Sequence, residues 1–159
     1  MKTLVVLGMG GHTAQVLRLL QLIGDNYDYE YVVGHDDKTS VSKIKHSGKI
    51  YLIRNPRLMK DKSIVKVFFN MFFTTIAAWK ILSKSKPDVI IGAGPAICIP
   101  LFWIAKLNGI KTIFIESWVR VSHKSNAGRL VYPVSDLFFV QWRSMKKVYP
   151  KSIYAGRLS

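Results

Sequence analysis

Leu4-Val5-Val6-Leu7-Gly8-Met9-Gly10-Gly11-His12-Thr13 runs four apolar residues directly into a glycine-rich turn and then into a helical pattern. It reads as strand, phosphate-sized loop, helix. Glycines at 8, 10 and 11 permit positive φ and leave no Cβ between the backbone and a ligand. Gln15, Val16, Leu19, Leu20, Leu22 and Ile23 continue as a mostly apolar helix. Its first-turn N–H groups lack helical partners and, with the helix dipole, favour an anion in the loop. His12, at the helix mouth, suits a hydrogen bond to a phosphate or a sugar hydroxyl, or proton transfer near neutral pH. The same residues are compatible with a tight βα turn in which His12 is a surface N-cap. Thr13 stands where a dinucleotide fingerprint would place its third glycine, so the turn is not a clean G-x-G-x-x-G.

The 159 residues, 49% of them hydrophobic, are enough for one well-packed domain and too few for two of ordinary size, so a single domain over 1–159 is expected. The one cysteine, Cys98, lies in an apolar run and reads as a buried, inert thiol in a reducing compartment. That compartment favours the cytoplasm, and the first residues carry too short an apolar run for a signal peptide or anchor.

Lys and Arg total 24 against 9 Asp and Glu, a net charge of +15 that implies an anionic partner surface. Between Lys38 and Lys66 the chain carries nine basic residues (38, 43, 45, 49, 54, 57, 60, 62 and 66) against one acidic, Asp61, and Val67-Phe68-Phe69-Asn70-Met71-Phe72-Phe73 follows. A basic flank beside an aromatic-rich helix is a membrane-surface signature, although a solvated basic loop beside a core helix has the same composition. No nucleic-acid-binding module is visible, and no nucleic-acid partner is expected. Ile64 to Leu82 approaches spanning length, but two lysines and an asparagine within it argue for burial or for lying in the interface.

Along the chain, strands are expected at Lys2 to Leu7, Tyr29 to Val33, Lys49 to Ile53, Asp88 to Ile91, Lys111 to Ile115, Asp136 to Val140 and Ser152 to Tyr154. Helices are expected from His12 or Thr13 to Ile23, from a Ser63 cap to Lys84, from Ala96 to Leu107, and near Gly128 to Tyr132, with a further short helix ended by Pro150. Residues after Gly34 read as a polar Lys- and Ser-rich loop. A second glycine turn, Gly92-Ala93-Gly94-Pro95, repeats the pattern of the first. The alternation predicts an α/β fold, a Rossmann-like doubly wound parallel sheet whose ligand lies beyond the carboxyl ends of the strands. Gly8–His12, Gly92–Pro95, Glu116–Arg120 and Gln141 all fall at those ends.

Glu116 follows a strand that should be buried, so its carboxylate needs a partner; Arg120, four residues on, is one. The pair reads either as a structural salt bridge or as a general base (Glu116) with a diphosphate ligand (Arg120). The four histidines lack metal-ligand spacing, and no metal site is expected.

Gly8-x-Gly10-Gly11-His12-Thr13, Gly92-x-Gly94-Pro95, Phe114-Ile115-Glu116-Ser117-x-x-Arg120-Val121 and Tyr132-Pro133-x-x-Asp136-Leu137-Phe138-x-Val140-Gln141-Trp142 resemble the PssD/EpsE-type subunit of bacterial capsule and exopolysaccharide synthesis. That family is similar to the membrane-recruiting subunit of the eukaryotic dolichol-linked N-acetylglucosaminyltransferase. The resemblance covers nearly the whole chain. It implies the amino-terminal half of a GT-B glycosyltransferase, with the carboxy-terminal half, which holds most of the UDP-sugar site, supplied by a separate protein; single-chain relatives such as MurG carry both halves. By that resemblance Gly8, Gly10, Gly11 and His12 form the loop near the acceptor diphosphate and donor, and Glu116 and Arg120 line the same cleft; with the placement at strand ends this makes Glu116 and His12 the candidate catalytic residues, and Gly8, Gly10, Gly11, Thr13, Gly92, Gly94, Ser117, Arg120 and Gln141 the candidate substrate-binding ones. Met9 and Gln15 stand where the eukaryotic pattern has Ser and Glu.

The expected function is transfer, with inversion, of a hexose or N-acetylhexosamine from a UDP-sugar to a sugar on an undecaprenyl-diphosphate carrier, active only with the partner subunit. The donor is a substrate, and no cofactor is expected. The chain would sit peripherally on the cytoplasmic face of the membrane, held by anionic lipid. Two other readings stand beside this one: a non-catalytic scaffold that recruits and activates a separate transferase, and a nucleotide-binding oxidoreductase, which Thr13 disfavours.

Overall fold

Parallel β-strands need crossover connections, and the glycine turns supply their first bends. In the computed structural model, which describes residues 1–56 and 64–158, with side chains over 1–56 and 69–158, seven strands form one sheet in the order β3-β2-β1-β4-β5-β6-β7. They are β1 (Lys2–Val6), β2 (Asp28–Gly34), β3 (Lys49–Ile53), β4 (Val89–Gly92), β5 (Lys111–Ile115), β6 (Leu137–Val140) and β7 (Ile153–Tyr154). Every neighbouring pair is parallel. The doubly wound Rossmann-like expectation therefore holds. The order reverses at β1, which lies between β2 and β4, and this switch point opens the crevice where such sheets bind ligands.

Helices α1 (Gly11–Ile23), α3 (Ile64–Ser85), α4 (Cys98–Leu107) and α5 (Asn126–Val131) fall where expected to within a few residues. The loop expected after Gly34 instead contains a short helix, α2 (Lys38–Val41), because the Asp37 side chain accepts from Ser40 N and caps it. The Ser63 cap and the basic residues Arg57, Lys60 and Lys62 lie outside the described residues, as does the side chain of Lys66.

Side chains alternate across the sheet. Leu4, Val6, Ile90, Phe114 and Phe138 join α3, α4 and α5 in the larger core. Val5, Leu7, Val33, Ile91 and Ile115 pack under Val16, Leu17 and Leu20 of α1 on the other face. That second face carries fewer helices than the first. Along it Ile113 and Phe139 stay half-buried, and Leu137 and Ile153 are 41% and 40% exposed.

Helix α3 turns an unusual side inward. Asn70, Thr74, Ala78, Ile81, Leu82 and Ser85 are buried, whereas Phe69, Phe72, Phe73, Ile76 and Trp79 are exposed, Phe69 at 61%. Those aromatics recur at three- and four-residue spacing and so share one face. Helix α4 packs against α3 and carries exposed Trp103 and Leu107, with Trp103 Nε1 donating to Leu130 O of α5. Among the described residues no helix is long and apolar enough to cross a membrane.

Candidate functional site

The turns after β1 and β4 meet across the switch point. A Cβ on Gly8 would lie 2.8 Å from Pro95 Cβ, so the two turns pack with no room for a side chain. Gly10 has φ +66° and caps α1 without any side-chain hydrogen bond, leaving open space where its Cβ would stand. Gly94, at φ +78°, lies flat against the imidazole of His12: a Cβ there would be 2.2 Å from Nδ1. Gly92 faces inward, with Cys98 Sγ and Phe102 against it, so it serves packing rather than ligand approach.

His12 is half-buried, and its Nδ1 has no hydrogen-bond partner among the described residues. Burial lowers the imidazole's pKa, the charge of Glu116 partly opposes this, and Arg120 adds to the lowering. The ring is therefore held neutral near pH 7, able to accept at one nitrogen and donate at the other.

Glu116 differs from expectation. As the candidate base it should line the crevice, yet it is 1% exposed and lies behind it. Its Oε1 accepts from Ser117 N at 2.9 Å; its Oε2 accepts from Ser125 Oγ at 3.0 Å, Ser125 N at 3.3 Å and Tyr149 Oη at 2.8 Å. Neutral donors thus offset the desolvation of the carboxylate. Arg120 is not its partner: it is exposed and forms no ion pair among the described residues. Burial, with the nearby Glu116 charge, pushes the Tyr149 hydroxyl far up its titration range, which keeps it a donor. Gly128, in the first turn of α5 with its N–H donating to Ser125 Oγ, leaves the room: a Cβ there would sit 2.2 Å from Glu116 Oε2.

The loop so closed carries Trp118 and Arg120 to the glycine turn. Trp118 N donates to Gln15 Oε1, and its indole lies against Gly11. Gln141, expected to bind substrate, is buried and fully engaged: Nε2 donates to Gln15 Oε1 at 2.5 Å and to Glu116 O at 3.0 Å, and Oε1 accepts from Leu158 N at 2.8 Å. Gln15 Nε2 donates in turn to Gly11 O. Thr13 is likewise buried, its Oγ1 2.6 Å from Ser40 Oγ, and Ser117 is buried. Of the implied site residues, Gly10, Gly11, His12, Gly94 and Arg120 keep exposed surface at the crevice, while Gly8, Thr13, Gly92, Glu116, Ser117 and Gln141 lie behind it. An open groove of about 480 Å³ leads from Gly11 and Trp118 along α1 to Arg18, Lys43 and Lys45. No group of three or more His, Cys, Asp or Glu that could hold a metal occurs among the described residues.

Sequence reasoning missed Asp37, Ser40, Ser125, Gly128 and Tyr149. The Asp-x-x-Ser spacing was a cap signal that could have found the first two.

Residues 3–158 match the family model described as oligosaccharide biosynthesis protein Alg14 like. Among curated relatives, a rat protein named UDP-N-acetylglucosamine transferase subunit ALG14 is 33% identical over 177 residues, covering 98% of this chain and 82% of that protein. The Schizosaccharomyces pombe subunit of the same name is 33% identical over 171 residues, covering 96% and 81%. Among solved structures, Acinetobacter baumannii MurG superposes with a TM-score of 0.68 at 17% identity, covering 87% of this chain and 40% of that one. A Rickettsia bellii UDP-N-acetylglucosamine 2-epimerase gives 0.73 at 11% identity, covering 99% and 45%. These two share the fold, and the chain spans less than half of their length.

Proposed function

We propose, since this chain belongs to the family of Alg14-like oligosaccharide biosynthesis proteins, that it is the membrane-held, acceptor-side subunit of a two-component inverting glycosyltransferase. A partner subunit supplies the remaining half of the cleft and the UDP-sugar chemistry; this chain recruits it and completes the site. The observation that carries the division of labour is Glu116: with its carboxylate buried under Ser117, Ser125 and Tyr149, the expected base has no oxygen facing the crevice. His12 remains at the surface to contact a diphosphate or a sugar hydroxyl, beside the uncapped turn at Gly10 and the cation of Arg120.

The relatives are named as UDP-N-acetylglucosamine transferase subunits, which favours N-acetylglucosamine as the transferred sugar. The acceptor is a sugar on a polyprenyl diphosphate. Undecaprenyl as carrier, with service in capsule or exopolysaccharide synthesis, is the finer reading that the PssD/EpsE resemblance adds. Attachment is peripheral, at the cytoplasmic face, through the outward aromatic side of α3 and the positive charge of the chain.

Assay of the purified chain alone and with its partner, using labelled UDP-sugars and undecaprenyl- and dolichyl-linked acceptors, tests this. The chain alone should be inactive and the pair active, with Glu116→Gln leaving the pH–rate profile in place. Turnover by the chain alone would overturn the two-component reading, and loss of the profile's acidic limb in Glu116→Gln would return the base to this chain.

A further inference from the structure

The glycine turn after β1 is braced from behind by the turn after β2. Asp37 is buried although it is an acid, and no ion pair reaches it among the described residues. Its Oδ1 accepts from Ser40 N at 3.0 Å and Thr39 Oγ1 at 3.1 Å, and its Oδ2 accepts from Ser40 Oγ. Ser40 has one hydroxyl proton. With that proton directed mainly to Asp37, the Ser40 oxygen is free to accept from Thr13 Oγ1, 2.6 Å away in the first turn of α1. Ser40 Oγ also lies 3.3 Å from the carbonyl oxygen of Gly8, which it meets as the weaker arm of a shared hydrogen bond.

We infer that Asp37 and Ser40 are positioning residues for the glycine turn. The Gly8 carbonyl is drawn toward Ser40, inside the protein. In a trans peptide the following N–H points the opposite way, so the Met9 N–H is turned outward toward the crevice. Thr13, tied to the same serine, fixes the azimuth of α1 and with it the direction of the first-turn donors. Pro95 closes the other side against Gly8. Held from both sides, the turn needs no reorganisation when an anion arrives, which is how a preorganised donor set contributes affinity. Short helix α2, absent from the pattern of hydrophobic residues, exists to deliver Ser40 to this point.

This assignment rests on the proposed role of the glycine turn in holding the acceptor's diphosphate, and two measurements separate the claims. The first is amide hydrogen exchange on the isolated chain carrying Ser40→Ala, Asp37→Asn or the isosteric Thr13→Val. Exchange of the first hydrogen-bonded amides of α1, residues 14–17, which close on the carbonyls of 10–13, should quicken about tenfold in each, the factor expected for one buried hydrogen bond, with β4, β5 and β6 unchanged. Thr13→Ser, which keeps the hydroxyl, should match wild type, and Ser40→Ala with Thr13→Val should be no faster than either alone. The second is steady-state kinetics of the reconstituted pair, where Ser40→Ala should raise KM for the lipid-diphosphate acceptor about tenfold with kcat within about threefold, the signature of lost binding rather than lost chemistry. Unchanged exchange over 14–17, or an equal rise across the whole sheet, would overturn the positioning role. A raised exchange rate with KM unmoved in an active pair would instead leave the brace in place and remove the diphosphate from the glycine turn.

Discussion

Gly128→Ala is the substitution whose outcome depends most directly on the buried Glu116 network. In an ordinary helix interior the change would add about 1 kcal/mol of stability through helix propensity. Here the new methyl would lie 2.2 Å from Glu116 Oε2, 2.6 Å from Tyr149 Oη and 2.8 Å from Ser125 Oγ. These atoms belong to one hydrogen-bonded set, so none can retreat without breaking a bond to the carboxylate. Overpacking costs about 1–3 kcal/mol, and losing one hydrogen bond to a charged group about 1.5–3 kcal/mol. After the propensity gain the net is a loss of about 3 kcal/mol, equivalent to about 6–12 °C in Tm for a chain of this size. Scanning calorimetry and urea midpoints read the loss. The decisive control is the same change in a Glu116→Ala background, where the space is vacated and Gly128→Ala should be neutral or mildly stabilising; the coupling between the two sites should exceed about 2 kcal/mol. A raised Tm for Gly128→Ala in the otherwise wild-type chain would refute the network as the reason for glycine at 128.

Three further outcomes follow from the described geometry. Burial lowers the His12 pKa below its ordinary 6.5, so between the two values the unfolded chain binds more protons; stability is therefore fully present above pH 6.5 and falls as the pH drops through that window. Urea midpoints from about pH 7.5 to about pH 5 should show a shallower decline in His12→Gln than in wild type, and coincident slopes would count against a half-buried imidazole held neutral. Burial also pushes the Cys98 thiol up, so a thiol reagent should label it only at the rate of global unfolding, and fast labelling in native buffer would contradict the packing against Gly92. Phe72→Ser with Trp79→Ser should leave Tm almost unchanged, since both side chains are exposed, yet cut co-sedimentation with anionic vesicles severalfold; indifference to lipid charge, to salt and to these changes would remove α3 from membrane attachment.

Much of the fold was legible because its signals are local. The bounds of β3 and β5 match expectation, and both glycine turns stand at the ends of buried strands, where apolar runs stop abruptly. What stayed hidden was set by distance along the chain. That Glu116 needed partners could be read from the apolar strand before it, but its side-chain donors come from positions 9 and 33 residues away, and no spacing rule connects them. Gly128 could not be singled out, since the reason for it is a neighbour's oxygen. Four residues of α2 are too few to show a helical period. Helix α3, apolar nearly all round, concealed which side it buries; only the packing of Asn70 and Thr74 inward shows that its aromatics face out.

The uneven covering of the sheet has a colloidal consequence. Parallel sheets ordinarily lie under helices on both faces, and here the strip along Ile113, Leu137, Phe139 and Ile153 is only partly covered. Two such strips attract at contact, while the net charge of +15 on each copy repels at longer range. The reach of that repulsion shrinks from about 30 Å in 0.01 M salt to about 3 Å in 1 M salt. Salting-out ions strengthen the apolar attraction over the same interval. A solution of the lone chain should therefore be best dispersed in dilute buffer and cloud as salt is added, and any molecule that covers the strip should widen the range of ionic strength over which it stays clear.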